Sequence, residues 1–172
     1  MPRESEMSDM RDVLRLESQF CFALYSAAHA VMRSYRPLLE QLGLTYPQYL
    51  VMLVLWEEPE QTVGGIADRL LLDSSTLTPL LKRLEGMGLI TRRRNPANER
   101  QLIVALTGEG RALRDKAESI PQAILGASGH DLPNLLRLRD ELVATRDSFA
   151  ATQGGDNPPS DVVAAGERVK MV

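Results

Sequence analysis

The stretch Leu72-Asp73-Ser74-Ser75-Thr76-Leu77-Thr78-Pro79-Leu80-Leu81-Lys82-Arg83-Leu84 decides how the rest of this chain is read. Asp73 or Ser74 can cap a helix, because a short side-chain oxygen at that position accepts one of the orphan N–H groups of the first turn. The helix is predicted from about Ser75 to Met87, with Gly88 as its C-terminal stop. Leu77, Leu80, Leu81 and Leu84 recur at helical spacing, so they form the inward face and leave the hydroxyls and cations on the other side. Immediately upstream, Thr62 can cap a short helix, Val63 to Leu70, whose inner face holds Ile66, Ala67 and Leu70. Two short helices joined by Leu71-Leu72-Asp73 make a helix-turn-helix candidate.

Downstream of Gly88, two strand-like runs, Leu89 to Arg94 and Glu99 to Leu106, flank the turn residues Asn95-Pro96-Ala97-Asn98. In the second run Leu102, Val104 and Leu106 alternate with Gln101, Ile103 and Ala105, as one strand face against the other. A hairpin placed directly after a helix-turn-helix is a wing, and this one is basic. Between Arg69 and Arg100 seven basic residues (Arg69, Lys82, Arg83, Arg92, Arg93, Arg94, Arg100) face three acids (Asp73, Glu85, Glu99). The whole chain has a net charge of −3, so the cations are concentrated where the hairpin and the second helix lie. A basic stripe on an acidic body suits contact with phosphates, although a charge run is also an ordinary solvated face.

The second helix of such a motif lies in the major groove with its N-terminal residues nearest the bases. Here those residues are Ser74, Ser75, Thr76, Thr78 and Pro79, and the hydroxyls and free N–H groups of the helix start can meet phosphates and base edges. Lys82 and Arg83 come a turn later, within reach of phosphate or guanine. In the wing, Arg92, Arg94 and Arg100 are the expected contacts, an arginine at a hairpin tip being able to enter the minor groove or pair with phosphates. Arg92 and Arg94 share a strand face and Arg93 points the other way, with room for one of the three to be structural. The plain alternative is a capped amphipathic helix whose serines only cap; the basic hairpin that follows it favours DNA.

Further out, helices are expected from about Asp12 to Glu40, from Thr45 to Trp56 or Glu57, from Thr107 to about Leu125, and from Asp131 to Thr152, with a break at Gly126 to Gly129. Thr45 and Gln48 form a capping box around Pro47, and Pro59 ends that helix. The dense apolar run Phe20, Phe22, Leu24, Ala27, Ala28, Val31 suits a helix buried on more than one side. Residues 1–12 read as a flexible start, and residues 153–172, with Gly154, Gly155, Pro158 and Pro159, as a disordered tail. The longest unbroken apolar run, Tyr49 to Trp56, is too short for a membrane span, and no signal-peptide pattern precedes it, so the expectation is a cytoplasmic protein with no membrane partner. One cysteine, Cys21, and two histidines, His29 and His130, offer neither an intrachain disulfide nor a metal-ligand cluster; no metal and no cofactor are expected.

The order of elements and the quoted stretch, together with Gly88-Leu89-Ile90 and Leu106-Thr107, resemble the MarR family of transcription regulators from about Leu14 to Ala150. The resemblance implies a mainly α fold with a small β-hairpin wing. Residues 45–106 would be the winged helix-turn-helix DNA-binding domain, and residues 13–44 and 107–152 a helical dimerisation region. It further implies a homodimer whose two heads read the halves of a pseudo-palindromic operator in double-stranded DNA. The family's wing usually carries Asp-x-Arg, where this chain has Asn98-Glu99-Arg100. Arg100 is kept, and Asn98 is expected to hold a neutral hydrogen bond in place of an ion pair.

Three longer segments are similar to OhrR, the organic hydroperoxide-sensing branch: Leu16 to Tyr25, Tyr35-Arg36-Pro37-Leu38-Leu39, and Leu44 to Leu50. By that resemblance Cys21 is the redox sensor, supported by Tyr25 on its own helix and by Tyr35 and Tyr46 of the other subunit. The chemistry agrees, since the thiolate is what attacks a peroxide, and hydroxyl donors stabilise a thiolate. Phe20, Phe22 and Met32 would make an apolar approach favouring organic peroxides. From spacing alone Cys21 is better read as a buried small hydrophobe; the matching tyrosines reverse that reading. Relatives with a second, late cysteine form an intersubunit disulfide. Here Gly126-Ala127-Ser128 offers only a serine, so the one-cysteine mode is expected, in which the sulfenic acid condenses with a small cellular thiol or overoxidises. The alternative of the same fold is a regulator controlled by a small phenolic or other ligand, with Cys21 structural. A thiol peroxidase is not expected, since nothing in the chain supplies a resolving thiol.

Overall fold

Three threonine caps set the frame of the molecule, which is described by a computed structural model over residues 13–152. After a single 3-10 turn, Leu16–Ser18, helix α1 spans Phe20–Glu40 and α2 spans Tyr46–Glu57. The Gln48 side chain accepts from the Thr45 N–H at 2.8 Å, which closes the expected capping box. A short strand β1, Glu60–Thr62, leads into α3, Val63–Leu70, whose first turn is capped by Thr62 accepting from Gly65 N at 3.0 Å. Helix α4 is Ser74–Gly86, strands β2 and β3 are Ile90–Asn95 and Asn98–Leu106, and α5 is Gly108–Ala117, capped by Thr107. Helices α6, Ile120–Ser128, and α7, Leu132–Thr152, complete the chain. No described helix is long and apolar enough to cross a membrane.

The core gathers under the helix-turn-helix. Leu77, Leu80, Leu81 and Leu84 of α4 are buried, as their spacing predicts, against Ile66 of α3 and Val51, Met52 and Leu55 of α2. The turn between α3 and α4 carries Leu71 in the left-handed region, φ 55°, which is unusual for a residue with a branched side chain. The three strands form one antiparallel sheet in the order β1-β3-β2, with Glu60 opposite Ala105 and Arg92 opposite Val104.

Four differences from the sequence expectations have physical causes. The sheet has a third strand, β1, because three residues after Pro59 pair with β3 from more than forty positions away, a contact no local pattern announces. β3 is therefore central, and Ile103, expected on the outward side, is buried, while Leu102 is exposed. The helix expected from Thr107 to Leu125 is two helices, since Pro121 lies in the first turn of α6 and the break falls just before it. Helix α1 begins at Phe20 rather than Asp12, and its apolar face is not buried within the chain. Leu39 is its only buried residue, and Phe20 and Leu24 are 53% and 42% exposed. The expected flexible start, 1–12, and the expected tail, 153–172, lie outside the described residues.

Candidate nucleic-acid interface and thiol site

Helix α4 is held at its start by Asp73. The carboxylate accepts from Thr76 N at 2.8 Å, from the Thr76 hydroxyl at 3.0 Å, and from the Ser75 hydroxyl. These hydrogen bonds, the Ser75 hydroxyl first and the Thr76 N–H next, hold the Asp73 carboxyl below the usual carboxylate range. The Thr78 hydroxyl donates back to the Ser74 carbonyl at 2.6 Å. Three of the four predicted hydroxyls thus spend their protons inside the helix start and present oxygen acceptors outward. Ser74, Ser75, Pro79, Lys82 and Arg83 are exposed, and Thr76 and Thr78 are half-buried. Along the helix Ser75, Pro79 and Lys82 fall on successive turns of the face opposite the buried leucines.

The wing sorts its arginines by partner. Arg92 is turned inward against α4: its Nε donates to Glu85 Oε2 at 3.0 Å, its Nη2 to the same oxygen at 2.5 Å, and its backbone N–H to Glu85 Oε1 at 3.1 Å. That guanidinium holds the Glu85 carboxyl below its ordinary range. Arg93, on the other face, crosses β3 to pair with Glu60 of β1 at 2.8 Å. Arg94 and Arg100 are exposed, and among the described residues neither has a carboxylate partner; Arg94 donates only to the Glu99 carbonyl at 3.4 Å. The side-chain oxygen of Asn98 accepts from the Arg100 N–H at 3.2 Å, the neutral hydrogen bond expected at this point of the wing. Of the three wing arginines predicted to reach DNA, Arg94 and Arg100 stand open and Arg92 does not. Sequence reasoning named no partner for it; the available signal was Glu85, an acid at the helix end seven positions upstream.

The sensor residues separate into two places within one chain. Tyr35 and Tyr46 meet with ring centroids 4.9 Å apart, and Tyr49 joins them at 6.0 Å from Tyr35. Burial pushes the titration of Tyr35 and Tyr46 upward, and for Tyr46 the neighbouring Tyr35 and Tyr49 add to it, so both remain protonated hydroxyl donors at neutral pH. Cys21 is exposed near the start of α1, with Tyr25 one turn on, its ring 4.3 Å from that of His29. Cys21 and Tyr35 are separated along the same helix by about 21 Å at 1.5 Å per residue. The two groups do not meet in a single copy.

Comparison with known proteins agrees with this architecture. A family model described as transcriptional regulator SarA/Rot matches residues 33–117. The chain is 48% identical over 161 residues to the HTH-type transcriptional regulator TtmR of Methylorubrum extorquens (strain PA1), covering 92% of this chain and 83% of that protein. It is 45% identical to the organic hydroperoxide resistance transcriptional regulator of Bacillus subtilis (strain 168), covering 79% of this chain and 92% of that one. Among solved structures, reduced AbfR bound to DNA superposes with a TM-score of 0.66 at 38% identity, covering 81% of this chain and 98% of that one. The two relatives from Methylorubrum extorquens and Bacillus subtilis are transcriptional regulators, not enzymes. The chain therefore belongs to the MarR-type family of DNA-binding winged-helix transcription regulators, in the group that includes the organic hydroperoxide resistance regulator.

Proposed function

We propose that the chain acts in the cytoplasm as a homodimeric repressor on a pseudo-palindromic operator, and leaves that operator when Cys21 is oxidised by an organic hydroperoxide. The observation that carries this reading is the separation just described. Cys21 lies on a helix face that its own chain leaves open, and the protonated tyrosine pair lies about four helical turns away. A second copy packed on that face, with its helices crossing, is the simple way to bring Tyr35 and Tyr46 hydroxyls to Cys21. The apolar side chains left exposed on α1 and α7, among them Phe20, Leu24, Leu132 and Phe149, supply the area for such a dimer. Residues 13–44 and 107–152 are then the dimerisation region, and 45–106 the reading head.

The chemistry follows from the thiolate. Its sulfur attacks the terminal oxygen of the hydroperoxide; an S–O bond forms, the O–O bond breaks, and the alkoxide leaves to take a proton and become an alcohol. The sulfenic acid then condenses with a small cellular thiol, losing water and forming a mixed disulfide. The added bulk displaces the tyrosine pair and shifts the population toward a spacing of the two heads that no longer fits the operator. On DNA, the outward face of α4, Ser74, Ser75, Thr76, Thr78, Pro79, Lys82 and Arg83, enters the major groove, and Arg94 and Arg100 follow the backbone or minor groove from the wing.

Cys21→Ser tests the reading. The variant should bind the operator as the parent does and no longer release it on addition of an organic hydroperoxide, and the parent should respond to organic hydroperoxide at lower concentration than to hydrogen peroxide. Release of Cys21→Ser by the organic hydroperoxide would sink the sensor claim and leave a regulator controlled by a small ligand. The mass of the Cys21 peptide after treatment identifies the mixed disulfide.

A further inference from the structure

The Glu85–Arg92 contact joins two elements that must act together on DNA. Glu85 is in the last turn of α4, the helix with the groove-facing hydroxyls, and Arg92 is in the first strand of the wing. The carboxylate uses both oxygens: one takes the Arg92 backbone N–H, the other takes two guanidinium N–H groups. The backbone bond fixes where β2 starts relative to α4, and the side-chain bonds fix how the strand rolls about its axis. Both partners are partly shielded, with the arginine side chain 21% and the glutamate side chain 37% exposed, so the pair is less screened than the open ion pairs elsewhere on the surface. The connecting residues carry Gly88 at φ +75°, and its carbonyl accepts from the Thr107 hydroxyl at 2.7 Å. That second tie holds the base of the hairpin, where β3 joins α5, while Glu85 ties the body of β2 directly to α4.

We propose that Glu85 and Arg92 form a positioning clamp for DNA binding, which sets the wing at a fixed angle to α4 so that Arg94 and Arg100 reach the duplex while α4 occupies the groove. Arg92 on this account touches no phosphate. Glu85, an acid beside a polyanion, strengthens binding by what it positions, against the sign of its own charge. The assignment rests on the DNA-binding reading of the fold and goes beyond it in giving these two residues a role.

The sign of the effect makes the test decisive. A duplex is selected from a random pool by the parent protein, and affinities are measured by fluorescence anisotropy over a range of salt, with thermal melting as a check of folding. The clamp predicts that Glu85→Gln, which removes a negative charge, weakens binding by about tenfold, and that Arg92→Gln and the double variant weaken it by the same amount, because each breaks one linkage. Glu85→Asp keeps the charge and withdraws the carboxylate by one methylene; it should weaken binding too, and it takes the place of Glu85→Gln if that variant melts without cooperativity. Binding of Glu85→Gln as tight as the parent or tighter, with loss only on Arg92→Gln, would show Arg92 to be a direct phosphate contact and overturn the clamp alone. If the parent selects no duplex and shows no salt-dependent binding, the clamp and the DNA-binding reading fall together.

Discussion

Tyr35 of α1 and Tyr46 at the start of α2 lie ring to ring at 4.9 Å, and burial pushes the titration of both hydroxyls further above the ordinary tyrosine range. Each hydroxyl is a donor that the proposed sensor would use to stabilise the Cys21 thiolate. Replacing either by phenylalanine keeps the ring and its packing and removes only the donor. Tyr35→Phe and Tyr46→Phe should therefore fold and bind DNA as the parent does, yet react with an organic hydroperoxide about tenfold more slowly, the worth of one hydrogen bond to a charged group. Stopped-flow release of a labelled duplex measures it. Rates equal to the parent's in both variants would remove the tyrosines from the sensor.

Gly110 is placed where no side chain fits. The Trp56 indole N–H donates to its carbonyl at 2.8 Å, drawing the first turn of α5 onto α2. A Cβ at Gly110 would stand 2.0 Å from the Leu89 carbonyl oxygen, which is backbone and cannot swing aside. Gly110→Ala should cost about 3 kcal/mol by overpacking, read as a lowered urea midpoint. Trp56→Phe, which removes a second donor from a carbonyl that already accepts within α5, should cost less, about 1 kcal/mol apart from lost packing. An alanine variant as stable as the parent would contradict the geometry.

Acid should loosen the reading head first. Asp73 and Glu85 both titrate lower in the folded chain than in the unfolded one, Asp73 through the Ser75 and Thr76 hydrogen bonds and Glu85 through Arg92. A depressed carboxyl contributes stability that is fully present above its unfolded value, near about pH 4, and is lost as the pH falls through the lower folded value. Between about pH 7 and pH 5 this contribution should be constant, and below about pH 4 it should decline. In Asp73→Asn, which keeps a capping oxygen but has no proton to gain, the decline should be shallower. Equal slopes in the two proteins would show that the cap carries no linkage.

Arg93, Arg94 and Arg100 of the wing should divide in a salt titration. Each phosphate contact adds close to one to the slope of log affinity against log salt. Arg94→Gln and Arg100→Gln should each lower that slope by about one. Arg93→Gln should leave it unchanged, because Arg93 is spent on Glu60. A slope change for Arg93 and none for Arg94 would reverse the assignment.

Much of this was legible because it is local. The Asp73 cap, the inward spacing of Leu77, Leu80, Leu81 and Leu84, the Thr45–Gln48 capping box and the turn between β2 and β3 each depend on residues a few positions apart, whose hydrogen bonds and packing repeat with the period of the element. The lone cysteine with three tyrosines at matching positions was equally plain as a list of residues. Their grouping was not, since Tyr35 meets Tyr46 only where α1 folds back on α2, and Cys21 is left on an open face.

The amino-acid order determined by itself α2, α3 and α4, their caps, the buried stripe of α4 and the position of the wing, because these are set by nearest-neighbour chemistry. Only the tertiary structure decided that β1 completes the sheet, that Ile103 is buried and Leu102 exposed, and that the apolar face of α1 is left open by its own chain. It also decided which arginines are open. Arg92, Arg93, Arg94 and Arg100 are one charge type in one hairpin. What distinguishes them is the acid each can reach, Glu85 from the end of α4 and Glu60 from across the sheet, and that reach is a property of folded distance rather than of sequence.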